Sequence, residues 1–143
     1  MFYTPMIKRA MLLAYKAHDG QLDRGGYPYF AHVLQVAEWF EDEATISVAL
    51  LHDAIEDGGL SRADLVKANM PDIVIEAVEA MTHKDGTTYQ EYINSVKQNQ
   101  IARIVKMKDL GHNCNLSRLS KVTDKDKERV KKYEAAWFAL RLG

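Results

Sequence analysis

An imidazole and three carboxylates crowd one short stretch of this chain, His52, Asp53, Ala54, Ile55, Glu56 and Asp57. Read as α-helix at about 100° per residue, with His52 at zero, Glu56 falls at about 40°, Asp53 at about 100° and Asp57 at about 140°. Leu50, Leu51, Ala54 and Ile55 fill the remaining arc, so one face is chemical and the other belongs to a core. The residues just upstream, Ser47 to Leu51, are mostly apolar. The chain therefore enters the cluster from a buried region, where uncompensated carboxylates are costly. A divalent cation is the simplest neutraliser, because neutral imidazole and carboxylate oxygen suit Mn²⁺, Fe²⁺, Zn²⁺ or Mg²⁺. Two adjacent residues cannot complete its shell. Further ligands must come from other elements, and His32 in YPYFAHVLQVAEWF and Asp109 in IARIVKMKDLGHN are the candidates.

The elements that must position these groups read as helices. Apolar residues recur three and four apart almost throughout, and no long stretch alternates as a strand would. Thr4 and Pro5 read as a cap and first position of a helix to about Lys16, with Ile7, Met11, Leu12 and Tyr15 inward. DGQLDRGGYPY, with three glycines and a proline, is a polar loop. A second helix is expected from about Phe30 to Glu41, and a third from Thr45 through SVALLHDAI, ended by Gly58 and Gly59. Ser61 and Asp64 form a capping pair for a short helix to about Asn69, and Pro71 opens another through IVIEAVEAM. HKDGTT is a turn before a helix over Thr88–Gln98, which has Tyr89, Tyr92, Ile93 and Val96 on one side. A long helix is expected from Gln100 to about Leu119, with Gly111 as its weak point. The last runs from the polar VTDKDKE stretch to about Leu142, with Val130, Tyr133, Ala136, Trp137 and Leu140 inward.

Composition narrows the function classes. A chain of 143 residues, 47% hydrophobic and 27% charged, fits one globular domain, residues 1–143, with no repeat, linker or low-complexity tract. Nineteen basic and twenty acidic residues nearly cancel, so nothing global points to nucleic acid or an anionic membrane, and any anionic ligand must be gripped locally. Cys114 is the only cysteine, which excludes an internal disulfide and makes a reducing, cytoplasmic compartment the expectation. MFYTPMIKRAMLLAYKAH is interrupted by basic and polar residues and reads as neither signal peptide nor membrane span.

The order GQLDRGGYPYFAH, then ALLHDAIED, then IVKMKDLGHN resembles the HD superfamily of metal-dependent phosphohydrolases. More narrowly, it is similar to the hydrolase domain of the RelA/SpoT alarmone enzymes and the free-standing small alarmone hydrolases. The resemblance spans about Ala17 to Tyr133. It implies an all-α fold, the HD-domain helical bundle, with Mn²⁺ held by His32, His52, Asp53 and Asp109. It also implies that Glu56 and Asp57 are the catalytic acids, orienting the attacking water beside the metal. The stripe geometry agrees, since Glu56 follows His52 by one turn, and acids are disfavoured near a helix C-terminus unless they serve a purpose. A divalent ion acidifies that water, so no covalent nucleophile is required.

By the same resemblance Arg24 contacts a nucleotide base, Asn113 lies near the ribose, and Arg129 and Tyr133 in ERVKKYEAAW form the far pocket wall. Asp109 and Asn113 stand one helical turn apart, as do Arg129 and Tyr133. Lys106 is expected as a local ion-pair partner, and His18, His83 and His112 as surface or structural residues. There are departures: the loop from Arg24 reaches His32 one residue sooner than in the bifunctional enzymes, and Gly25 stands where a second basic residue often follows. Leu110 and Gly111 replace a bulkier, partly basic pair. No synthetase or regulatory domain is expected within a chain of this length.

The leading expectation is a Mn²⁺-dependent hydrolase of a small nucleotide, removing the 3′-pyrophosphate of ppGpp, with no nucleic-acid or membrane partner. Two rivals differ in substrate or in class: a phosphatase of another nucleotide such as NADPH, and a nucleotide-binding regulatory module with a vestigial site. The joint presence of His32, His52, Asp53, Glu56, Asp57 and Asp109 stands against the last.

Overall fold

A computed structural model of the chain describes residues 1–142. Its helices are α1 (Pro5–Ala17), α2 (Tyr29–Glu38), α3 (Glu43–Leu51), α4 (Arg62–Lys67), α5 (Asp72–Ala80), α6 (Tyr89–Lys97), α7 (Gln100–Asn113) and α8 (Asp124–Arg141), with a 3₁₀ turn at Leu116–Arg118. Strand pairing among the described residues is limited to the isolated bridge between Leu22 and Pro28. The all-α expectation holds.

Helix α3 is the axis of the bundle. Every residue from Thr45 to Leu51 is buried, and α1, α2, α5 and α7 all pack on it. A helix apolar on all sides is stable only when surrounded, and the carboxylate of Asp42 starts it by accepting from Thr45 N at 3.0 Å. The helix stops at Leu51, earlier than the SVALLHDAI pattern predicts, and residues 52–58 form successive turns. His52 Nδ1 donates to the Ala49 carbonyl at 2.5 Å, the acceptor that Asp53 N–H would need for another α turn. The turns press against the end of α1 at Gly58, where a Cβ would lie 2.7 Å from the Ala54 carbonyl oxygen and 2.9 Å from Ala17 Cβ.

Helix α1 presents a different face from the one expected. Ile7, Ala10 and Ala14 are buried, whereas Leu12 and Tyr15 are mainly exposed. The small alanines let α1 lie close along α3, which a stripe of larger side chains would prevent. Helix α2 is shorter than predicted, ending at Glu38. In α7 the break falls after Asn113 rather than at Gly111, and Asn115 caps the 3₁₀ turn by accepting from Ser117 N at 3.0 Å. Helix α8 buries Ala136 and Leu140 and half-buries Val130, Tyr133 and Trp137. Capping boxes at Ser61/Asp64, Thr88/Glu91 and Thr123/Asp126 open α4, α6 and α8.

Candidate metal centre and active site

Three elements converge at the C-terminal end of α3. His52 and Asp53 stand on the turns just past it, His32 projects from α2 and Asp109 from α7. Each offers a ligand atom, and the four atoms lie within 4.8 Å of one another. His32 Nε2 is 2.8 Å and His52 Nε2 3.3 Å from Asp109 Oδ1, while Asp53 Oδ2 is 3.0 Å from His52 Nε2 and 3.9 Å from His32 Nε2. All four residues are buried, and their side chains range from 0% exposed at His52 to 12% at Asp53. The donor set of two imidazole nitrogens and two carboxylate oxygens fits a divalent cation in charge and hardness.

Neighbouring groups orient these ligands. Because His52 Nδ1 donates to a carbonyl, its Nε2 is the nitrogen turned to the site. His32 Nδ1 meets His112 Nδ1 at 2.7 Å, and His112 Nε2 meets Gln35 Oε1 at 2.8 Å. If Gln35 accepts from His112 Nε2–H, then His112 Nδ1 accepts from His32 Nδ1–H, leaving the His32 Nε2 lone pair for a metal. His112, expected as a surface or structural residue, is a supporting partner of the centre. Tyr29 OH donates to Asp53 Oδ2 at 2.6 Å, Lys106 Nζ to Asp109 Oδ2 at 3.0 Å and Asn113 Nδ2 to Asp109 Oδ1 at 3.1 Å. Lys106 is the ion-pair partner expected.

The electrostatics follow from burial and mutual charge. Burial favours protonated carboxylates, yet the His52 charge outweighs it and brings Asp53 down to about 2. Asp109 is likewise held well below the carboxylate range, against its burial, by Lys106 and His52. Burial alone would depress the His52 pKa, but Asp53 and Asp109 hold it above its ordinary value. Burial and Asp53 push the Tyr29 phenol upward, keeping it a donor. His112 falls to about 4, chiefly through burial and then through His32 and Arg118, so it stays neutral and can accept.

Glu56 and Asp57 reach the centre by a route other than the helical stripe. Each offers a carboxylate oxygen in a group within 4.8 Å that includes Asp53, but they sit on turns. Glu56 Oε1 accepts from His83 N at 3.0 Å, tethering it to the loop between α5 and α6. Gln21 Nε2 donates to the Asp57 carbonyl at 2.7 Å, tying the turn to the loop before α2. Both carboxyls are raised above their ordinary pKa: burial leads in each, followed for Asp57 by the Asp53 charge, while at Glu56 the His83 N–H partly offsets it.

A cavity of about 400 Å³ opens beside the centre, bounded by His32 and Asp57 on one side. Arg24, Asn113, Arg129 and Tyr133, the four substrate candidates, all line it. Arg129 pairs with Asp126, one turn before it on α8.

The HD domain family model matches residues 10–110, more than half of the chain. The chain belongs to the HD domain family. It is also similar to a GTP pyrophosphokinase of Myxococcus xanthus, 32% identical over 76% of this chain and 16% of that protein. A GTP pyrophosphokinase of Streptomyces coelicolor is 30% identical over 96% of this chain and 18% of that protein. This HD domain chain thus spans less than a fifth of the length of either relative. Among solved structures, one described as "A metazoan ortholog of SpoT hydrolyzes ppGpp and plays a role in starvation responses" superposes with a TM-score of 0.80. It shares 22% identity and covers 100% of this chain and 89% of that one, a likeness of fold. Among the described residues, no helix is long and apolar enough to cross a membrane.

Three features of this HD domain site had no distinct signal in the sequence. Tyr29 bonds Asp53 from 24 positions away, His112 and Gln35 meet across α7 and α2, and Arg118 reaches the cavity from the 3₁₀ turn. Only the spacing of His112 three residues after Asp109 placed it near the correct helix face.

Proposed function

We propose that this HD domain is a metal-dependent nucleotide phosphohydrolase that removes the 3′-pyrophosphate of ppGpp or a close relative. One observation carries the reading: His32 of α2, His52 and Asp53 of the turns after α3, and Asp109 of α7 meet at one point, and a cavity lined by Arg24, Asn113 and Arg129 adjoins it. The names of the similar proteins, GTP pyrophosphokinases and a ppGpp hydrolase, support the choice of substrate.

The four ligands would hold the cation, with Mn²⁺ as the ion of choice, and a divalent ion bound there supplies Lewis acidity to a phosphoryl oxygen and acidifies water. The remaining chemistry belongs to the chain. Glu56 and Asp57, with pKa values raised by burial, are stronger bases than exposed carboxylates and accept the proton of the attacking water. The Glu56 bond from His83 N and the Gln21 bond to the Asp57 backbone hold both acids in place. Tyr29 and Lys106 each occupy one oxygen of a ligand carboxylate and so set its direction. Arg24 and Asn113 would address the base and ribose, with Arg129 and Tyr133 closing the far wall. The cavity suits a small nucleotide rather than a nucleic acid. Residues 1–143 act as one domain in this reading, supported by the match over 10–110, and the free Cys114 fits a cytoplasmic setting.

Purified protein with Mn²⁺ should release pyrophosphate from ppGpp, and Asp53→Ala should abolish both metal uptake and turnover. Efficient cleavage of NADPH or another nucleotide in a panel, with ppGpp untouched, would overturn the substrate assignment. Metal uptake with no turnover of any nucleotide would overturn the enzymatic reading.

A further inference from the structure

The cavity wall holds an ion pair that the metal chemistry does not use. Arg118, in the 3₁₀ turn after α7, pairs through Nη1 with Asp23 Oδ2, joining parts of the chain 95 residues apart. Asp23 is mostly buried and fully engaged. Its Oδ1 accepts from Gly25 N at 2.9 Å and Tyr27 N at 3.0 Å, and its carbonyl accepts from Gly26 N at 3.0 Å. Asp23 to Gly26 is thus a hydrogen-bonded turn with Arg24 at its second position, and the aspartate side chain reinforces it from within. Gly26 takes a φ of +84°, and Gly25 lies so close to Arg118 that an added Cβ would overlap the Arg118 carbonyl oxygen. The Leu22–Pro28 bridge closes the loop at its base.

Arg24 is exposed and faces the cavity, while both residues after it are glycines. Without the turn its position would be free to wander. We propose that Arg118 and Asp23 form a latch that fixes the Arg24 loop against the 3₁₀ turn and holds the Arg24 guanidinium ready for the substrate. Arg118 and Asp23 are positioning residues: they act on substrate through Arg24, and Gly25 is required because only a bare backbone lets the two segments meet. The inference rests on the nucleotide-hydrolase reading above. A fixed Arg24 backbone spares part of the ordering entropy otherwise lost on binding, so the latch acts on affinity rather than on the bond-breaking step.

A double-mutant cycle on the Mn²⁺-loaded protein, with ppGpp and the nucleotide panel as probes, tests this. Arg118→Ala should raise KM about tenfold, the scale of one lost charge-assisted contact, with kcat within about twofold and Mn²⁺ affinity unaltered. Arg24→Ala should do the same, and Arg24→Ala with Arg118→Ala should be no worse than Arg24→Ala alone. Gly25→Ala should reproduce the KM effect without touching either charge. Hydrogen exchange at the Gly25 and Tyr27 amides should quicken in Arg118→Ala, a readout independent of turnover. Additive effects of Arg24→Ala and Arg118→Ala, or a fall in kcat with KM unaltered, would overturn the latch while the hydrolase reading stands. A wild-type protein that turns over no nucleotide would overturn the hydrolase reading and the latch with it.

Discussion

Replacing Asp109 by asparagine removes one charge from the centre while keeping the side chain's shape. Asp109 accepts from Lys106 Nζ at 3.0 Å and Asn113 Nδ2 at 3.1 Å and contacts both His32 and His52, with 4% of its side chain exposed. In the metal-free protein, Asp109→Asn strips Lys106 of its counter-ion and His52 of one of two carboxylates. Breaking a buried ion pair costs about 3–5 kcal/mol. The lower end applies, because Lys106 keeps 13% of its side chain in solvent. For a chain of this size each kcal/mol moves Tm by roughly 3 °C, so the metal-free variant should melt roughly 10 °C below wild type. Metal acts in the opposite direction. At a free concentration about a hundredfold above Kd, Mn²⁺ should stabilise wild type by about 2.7 kcal/mol, roughly 8 °C, and should leave Asp109→Asn unmoved. Differential scanning fluorimetry in chelator and in Mn²⁺, beside isothermal titration, measures both. An unchanged Tm in chelator together with a wild-type Mn²⁺ shift would refute the placement of Asp109 at a shared cation site.

Other consequences are equally direct. His112→Phe keeps an aromatic ring in place of the group that orients His32, and titration should show Mn²⁺ affinity down about 10–100-fold with the helical circular dichroism retained. Tyr29→Phe deletes the 2.6 Å bond to Asp53 Oδ2, and denaturant unfolding should show a loss of about 1.5–3 kcal/mol, the range for a hydrogen bond to a charged group. Glu56 and Asp57 have folded-state pKa values above their unfolded values, so the folded chain binds their protons more tightly and is disfavoured as pH rises through those values. Glu56→Gln should consequently raise the metal-free Tm at neutral pH, while kcat falls and the acid limb of its pH profile flattens. Leu50→Ala, near the C-terminal end of α3, should cost about 2–5 kcal/mol in urea unfolding, since the residue is wholly buried.

Much of the scaffold was legible before the fold was known. Thr4 with Pro5 and Ser61 with Asp64 are local signals, and each opens the helix it announced. Interior faces were harder to read. Leu12 and Tyr15 lie on the helical stripe with Ile7, yet α1 turns Ala10 and Ala14 toward α3, because close helix packing rewards small residues in a way that hydrophobicity alone does not show. The helical projection of HDAIED brought Glu56 to the correct neighbourhood for an incomplete reason. The regular helix ends at Leu51 and gives way to turns, and His83 from a distant loop holds the Glu56 carboxylate.

Residue types and local spacing determined the helical class and the donor set, since amphipathic periodicity, capping chemistry and ligand hardness are properties of neighbouring residues. Tertiary packing alone decided which ring nitrogen His32 and His52 each present, and that His112 stands behind His32. It also brought Arg118 to Asp23 across 95 residues. Such pairings depend on how helices cross and on which polar groups burial forces to find partners, and neither is encoded within the reach of a short motif.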